Sequence, residues 1–213
     1  MSKKFAKSWE KQTSKGVGAK IKESLLPQKP LKNRLDEASV ILQEQIRKLE
    51  MVERRMEEKD RHIFAKVSEA LAKHQTDSAA TYSNELAEMR NTTKHIVQAK
   101  VALEEVVERL RTVREVGDLA VLLVPTISVL ENVKSDVAGV SPESQEEFDA
   151  VGSMLNNTLF EFSLSSSLSL DFGIANEEAQ KILAEASAVA EAQMKSKLPS
   201  LPPDTEKAEA SKG

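Results

Sequence analysis

The chain has 213 residues, of which 30% are charged and only 4% aromatic, and its net charge is −4. That composition suits helical rods better than a thick globule. The absence of cysteine excludes disulfides, thiol catalysis and Cys-ligated metals, and it fits a reducing compartment.

Charge is unevenly distributed. Residues 1–34 hold ten basic residues against Glu10 and Glu23, a net +8, so the remainder carries −12 to bring the whole to −4. Within residues 1–30, Lys3, Lys4, Lys7, Lys11 and Lys15 surround Phe5 and Trp9, one helical turn apart. Gly16, Gly18, Pro27 and Pro30 prevent a single long helix, so a disordered basic tail is expected. A solvated tail, nucleic-acid phosphate and an anionic membrane would each satisfy these lysines. Pairing the only Trp with a nearby Phe favours the membrane, where each Lys contributes about 1 kcal/mol and the aromatic rings insert at the interface. No apolar run approaches the roughly 20 residues of a spanning helix, and no signal-peptide core is present, so a soluble or peripheral protein is expected.

The stretch Leu35 to Val116 lacks both Gly and Pro. Leu35, Leu42, Leu49, Met56, Ile63 and Ala70 recur every seven residues, with Ile46, Val52 and Val67 between them, which is a heptad seam. Continued in phase, the seam would land on polar Asp77, Asn84 and Asn91. A new stripe begins instead at Tyr82 and runs through Leu86, Met89, Thr93, Ile96, Leu103, Val107 and Leu110, with Lys100 contributing only its stem. The polar segment 73–78 between the stripes is read as a turn, with Thr76, Asp77 or Ser78 capping the second helix. Two amphipathic helices joined this tightly lie antiparallel, each about 55–60 Å long.

Gly117-Asp118 should end the second helix. An apolar segment follows, with Pro125 either opening a third helix around 126–138 or kinking one already running. Ser141-Pro142 reads as an N-cap and first helical residue, and Phe148, Val151, Leu155, Leu159 and Phe162 give the stripe of a fourth helix. Gly117 and Gly139 are candidate hinges. Residues 164–176 read as a Ser-rich linker. A fifth helix, 177–195, is capped by Asn176 and shows a face of alanines with Ile182, Leu183, Val189 and Met194. Small residues bury little area, so this helix should dock reversibly. Residues 196–213 form a tail in which Leu198-Pro199-Ser200-Leu201-Pro202-Pro203 favours an extended, polyproline-like segment able to fill apolar grooves on a partner. The expected class is all-α: a long antiparallel hairpin (31–116), short helices over 118–163, a regulatory helix, and disordered ends.

Nothing in the pattern suggests an enzyme, a cofactor or a metal site. His62 and His95 read as solvated helix-face or interhelix residues and His74 as a turn residue, and no cysteine joins them. The hairpin acids, such as Glu57-Glu58 and Glu104-Glu105, read as a solvated face making i,i+4 pairs. Gly16-Val17-Gly18 lacks the flanking strand of a phosphate loop.

The order of a basic tail, long hairpin, two short helices, fifth helix and proline-bearing end resembles ESCRT-III, the membrane-remodelling filament proteins. The hairpin tip is similar to the archaeal cell-division members of the CdvB type, through Glu58-Lys59-Asp60-Arg61-His62-Ile63-Phe64 and Tyr82-Ser83-Asn84-Glu85-Leu86-Ala87-Glu88-Met89-Arg90. Ser83 stands where alanine is usual. The resemblance implies polymerisation with itself and with paralogous subunits through staggered hairpins, binding to an anionic membrane surface, and remodelling by an AAA ATPase. It further implies that Leu198, Pro199, Leu201 and Pro202 dock on the MIT domain of that ATPase. Only ten residues follow Pro203, so the winged-helix module by which some CdvB proteins bind their recruiter is expected to be missing. Self-anchoring through residues 1–26 would then replace it.

The leading expectation is therefore a filament subunit, cytoplasmic and peripheral on the inner face of the membrane at the division site. A soluble coiled-coil adaptor is the alternative. Nucleic-acid binding is not expected, because the hairpin and C-terminal part are net acidic.

Overall fold

The computed structural model describes residues 31–113, 119–165 and 172–199. The described residues from Arg34 onward belong to one compact unit. Among the described residues five α-helices follow one another: α1 Leu31–Ala72, α2 Thr76–Thr112, α3 Leu119–Val137, α4 Gln145–Ser165 and α5 Phe172–Lys197, with a 3₁₀ turn Pro142–Ser144 ahead of α4. The described residues are all-α, as the periodicities require, and no described helix is long and apolar enough to cross a membrane.

The two stripes decide how α1 and α2 meet. Leu35, Leu42, Leu49, Val52, Ile63, Val67 and Ala70 are buried on α1, and Leu86, Thr93, Ile96, Leu103, Val107 and Leu110 on α2. Near the turn, Ile63, Val67 and Leu86 form a cluster covered by Phe64, Leu71, Tyr82 and Met89. Lys66 extends over the Tyr82 ring, 5.5 Å from its centroid, a cation–π contact that closes the cluster from outside.

The turn takes three residues, Lys73 to Gln75. α1 ends in a Schellman arrangement, with the Gln75 N–H donating to the Ala70 carbonyl at 2.9 Å and the His74 N–H to Leu71 at 3.0 Å. This places His74 in the left-handed region, φ 55°, where glycine is the usual occupant. The N-cap of α2 is Gln75, without a side-chain capping bond, and not one of Thr76, Asp77 and Ser78. The Schellman turn reverses the chain so early that all three are already helical.

α3 begins at Leu119, earlier than the segment 126–138, so Pro125 lies inside the helix. Its ring removes one backbone donor, and the neighbouring Thr126 hydroxyl donates to the Leu122 carbonyl at 2.7 Å. Val121 stays exposed. Ser141 is the N-cap residue of the 3₁₀ turn, with Pro142 following it as expected, but its side chain makes no capping bond. Its hydroxyl is shared with Ser144 Oγ at 2.8 Å and donates to Glu143 at 3.1 Å. α4 buries the whole expected stripe from Phe148 to Phe162 and runs two residues into the segment read as linker, to Ser165. α5 is already helical at Phe172, so Asn176 lies within it and not at its cap.

Ion pairs set the directions. Lys100 meets Glu53 and Arg90 meets Asp60 across the hairpin, so the numbering of one arm rises as the other falls. Arg34–Glu161 (2.6 Å) and Lys48–Glu147 (3.0 Å) lay α4 antiparallel to α1 in the same way. Lys134 pairs with Asp149 between α3 and α4.

Asp60 and Glu53 correct the reading of the hairpin acids as a solvated face. Asp60 is 1% and Glu53 4% exposed. Asp60 takes two hydrogen bonds from Arg90, through Nε and Nη2, the bidentate geometry that lets a carboxylate be buried. Replacing Arg90→Met should therefore cost about 3–5 kcal/mol in urea unfolding, because an unpartnered carboxylate stays inside. The double change Asp60→Leu with Arg90→Met should recover most of that loss, whereas a purely additive loss would mean the pair is not coupled.

Candidate functional site

The described part of the chain presents a docked helix, α5, that ends at the proline-bearing segment. α5 packs along α2 and α3. Its buried face is Ala179, Ile182, Ala186 and Ala190, spaced three, four and four as one helical stripe requires. Leu183 and Met194 are half-buried, while Val189, expected on this face, points outward at 42% exposed. Alanine lets the helices approach closely but removes little apolar surface from water. Over residues 176–197, three buried methyls and one isoleucine side chain amount to roughly 5 kcal/mol of gross burial.

Electrostatics hold α5 in register. Glu178 accepts from Arg109 Nη2 at 2.8 Å, and Glu191 accepts from Lys94. The order of the pairs runs α5 antiparallel to α2. At its last residue Lys197 Nζ donates to Glu53 at 2.7 Å and to Glu57 at 2.9 Å on α1. Glu53 is thus shared by two lysines, one from the hairpin itself (Lys100, 2.6 Å) and one from α5.

The titration of these groups follows. Burial alone would raise the Glu53 carboxyl, but hydrogen bonds from Lys100 and Lys197 outweigh it and hold Glu53 below the usual carboxylate range. The hydrogen bond from Arg109 lowers Glu178, that from Lys94 lowers Glu191, and the bonds that Lys197 donates to Glu53 and Glu57 raise Lys197. The Glu53–Glu57–Lys197 junction could not be read from the sequence, because its members lie on helices 140 residues apart. A hint was available: Glu53 falls on the inner side of the heptad, where an acid requires a partner.

Of the residues expected to engage the ATPase, Leu198 is half-buried and Pro199 exposed, and the Leu198 N–H donates to the Met194 carbonyl at 3.0 Å. Leu201 and Pro202 lie outside the described residues. So do the membrane candidates Lys3, Lys4, Phe5, Lys7, Trp9, Lys11 and Lys15, and the hinge at Gly117. His62 and His95 are exposed.

No family model matches the chain, and no solved structure matches it. Among curated proteins it is similar to cell division protein B1 of Sulfolobus acidocaldarius, 38% identical over 202 residues, which are 95% of this chain and 91% of that protein. It is also similar to cell division protein B of the same organism, 31% identical over 172 residues, or 81% of this chain and 66% of that protein. The chain belongs to the CdvB-type ESCRT-III family.

Ser83, which the resemblance sets against an alanine, lies on α2 near the hairpin turn. It is buried, and its hydroxyl has no hydrogen-bond partner among the described residues. Alanine would fit this position without leaving a polar atom unpaired.

Two outcomes test how α5 of this ESCRT-III chain is held. Ala186 is 0% exposed, so Ala186→Leu should overpack the contact and displace α5, seen as proteolytic cleavage within residues 172–197 at protease levels that spare the parent chain. The second concerns pH. Glu53, Glu178 and Glu191 are lowered in the docked state, so their contribution is present above the usual carboxylate range and is lost as pH falls through their docked values. Lys197 is raised, so its contribution is lost only in strong alkali. Amide exchange, corrected for its intrinsic pH dependence, should show α5 loosening below about pH 4 before α1 does.

Proposed function

We propose that this chain is a filament-forming ESCRT-III subunit that assembles on membrane and drives constriction and scission in archaeal cell division, and that the described conformation is its closed form. The relatives named cell division proteins support the cellular role. The observation that carries the mechanism is the shallow, ion-paired seat of α5 on α2 and α3, ending with Lys197 on Glu53 and Glu57. A helix seated over alanines can leave without unfolding the hairpin, because the stripes of α1 and α2 remain covered by each other.

In this reading release of α5 frees the faces of α2 and α3 that it covers, and the α3–α4 turn at Ala138–Ser141 gives room to straighten. Gly139 supports that role, since a side chain there would meet nothing within 4 Å. Lys3, Lys4, Phe5, Lys7, Trp9, Lys11 and Lys15 anchor the subunit on anionic lipid. An AAA ATPase engages Leu198, Pro199, Leu201 and Pro202 through its MIT domain. Because Lys197 immediately precedes this segment, traction on it acts first on the bonds to Glu53 and Glu57. Self and paralogous subunits are the polymer partners.

The test is sedimentation with anionic and neutral vesicles, followed by negative-stain microscopy of the pellet. The full chain should pellet only with anionic vesicles, and loss of residues 1–26 should abolish pelleting. Removing residues 173–213 should increase assembly at low salt. A truncated chain that stays monomeric on anionic vesicles, with the full chain equally indifferent to lipid, would transfer the assignment to a soluble coiled-coil adaptor.

A further inference from the structure

The side of α1 turned away from the other helices has a pattern that neither the hairpin nor α5 uses. Between residues 36 and 55 its exposed residues include Asp36, Val40, Glu44, Arg47, Met51 and Arg55, with exposed Arg54 beside Arg55, and the face continues to Asn33 on one side and to Glu58 and His62 on the other. The six from Asp36 to Arg55 are spaced four, four, three, four and four, so they form one stripe about 100° wide on an α-helix. Val40 is 64% and Met51 56% exposed, among the few large apolar side chains left in solvent. The order of types is acid, apolar, acid, then base, apolar, base. Read from either end about the midpoint between Gln45 and Ile46, apolar faces apolar and each acid faces a base.

The geometry points to this stripe as a self-complementary surface that binds a second copy of the chain, with the two α1 helices antiparallel about a two-fold axis at that midpoint. In that packing Asp36 meets Arg55 of the other copy, Val40 meets Met51, and Glu44 meets Arg47, each contact occurring twice as an isologous interface demands. Next to the axis the Glu44–Arg47 pair already present within one helix, 3.2 Å apart, joins its symmetry mate in a four-charge cluster.

A parallel packing shifted by 11 residues also sets acid against base, pairing Asp36 with Arg47 and Glu44 with Arg55. It uses only half of each stripe. A third copy filling the other half would lie about 33 Å from the first along the same line, whereas α1 is about 63 Å long, so the two would collide. The antiparallel packing satisfies all six residues at once. One helix pair buries less than the roughly 1,200 Å² of a standard interface, so the dimer is weak, concentration-dependent and sensitive to salt. It depends neither on lipid nor on release of α5, and it would join subunits of opposite direction.

The experiment is sedimentation equilibrium of the full chain without lipid, at low salt and at about 0.5 M salt, where charges are screened beyond about 4–5 Å. The parent chain should dimerise at low salt and lose at least about tenfold in association at high salt. D36K/E44K makes the stripe wholly basic and R47E/R55E makes it wholly acidic. Each should be monomeric alone, and an equimolar mixture should form heterodimers. The combined change D36K/E44K/R47E/R55E, which restores complementarity in reverse, should dimerise again. All four positions are exposed, so circular dichroism should be unchanged. Since the chain has no cysteine, orientation is read from single thiols: D36C mixed with R55C should form a disulfide-linked dimer and D36C mixed with R47C should not. A parent chain monomeric at low salt, charge variants that associate like the parent, or the opposite cross-linking preference would each overturn the proposal. None of these results bears on membrane-dependent assembly, so the two readings fail separately.

Discussion

Asp60 is enclosed by the hairpin on a helix only about 10 Å across, and the rest of the architecture follows from what that requires. A slender two-helix rod has no deep interior, so a carboxylate turned inward must be met by a fixed partner at one level of the opposite arm. Arg90 supplies it with two hydrogen bonds, and seven residues toward the N-terminus Glu53 is met by Lys100. Apolar stripes alone tolerate sliding by a heptad, because one leucine packs much like the next. Two acid–base pairs with bidentate or close geometry do not. They set the register of α1 on α2, and that register places the sites where α3, α4 and α5 attach.

The attachments differ in depth. α4 lays Phe148, Val151, Leu155, Leu159 and Phe162 into the structure and adds Lys48–Glu147 and Arg34–Glu161. α5 contributes mainly alanine and depends more on ions. A helix held in this way responds to salt, to acid and to mechanical load at its end far more readily than one seated by aromatic and leucine side chains, and it can move while the hairpin persists. For a subunit that, as proposed above, alternates between a soluble and a polymerised form, this division would place the releasable element where release costs least. Glu53 links the two levels. It belongs to the permanent register through Lys100 and to the removable contact through Lys197, so departure of α5 does not leave a buried acid unpartnered.

The faces of α1 divide in the same spirit. One carries the seam, another carries Arg34 and Lys48 toward α4, and the outward side carries alternating clusters of opposite charge around Val40 and Met51. A helix whose outer side were only a solvated face would scatter its charges. Between residues 36 and 55 acids precede the midpoint and bases follow it, an order that two-fold pairing between copies would use.

Much of this was open to reading in the linear chain. The heptad from Leu35 to Ala70, its failure after residue 73 and the new stripe from Tyr82 determined an antiparallel hairpin, because a helix that loses its apolar phase must end. The stripe from Phe148 to Phe162 determined α4, and the alanines of residues 177–195 determined a helix that would dock lightly. What the sequence could not supply was which charges turn inward, since Glu53, Glu57 and Glu58 are chemically alike and only the packing angle of α2 separates the buried from the exposed. The helix boundaries were decided by tertiary context as well: α3 continues through Pro125 because buried Leu119 and Leu123 draw the preceding turns into contact, and α5 starts before Asn176. The junction of Lys197 with Glu53 and Glu57 exists only in the folded molecule, where a chain reversal at residues 73–75 and three further helices bring the end of α5 to the middle of α1.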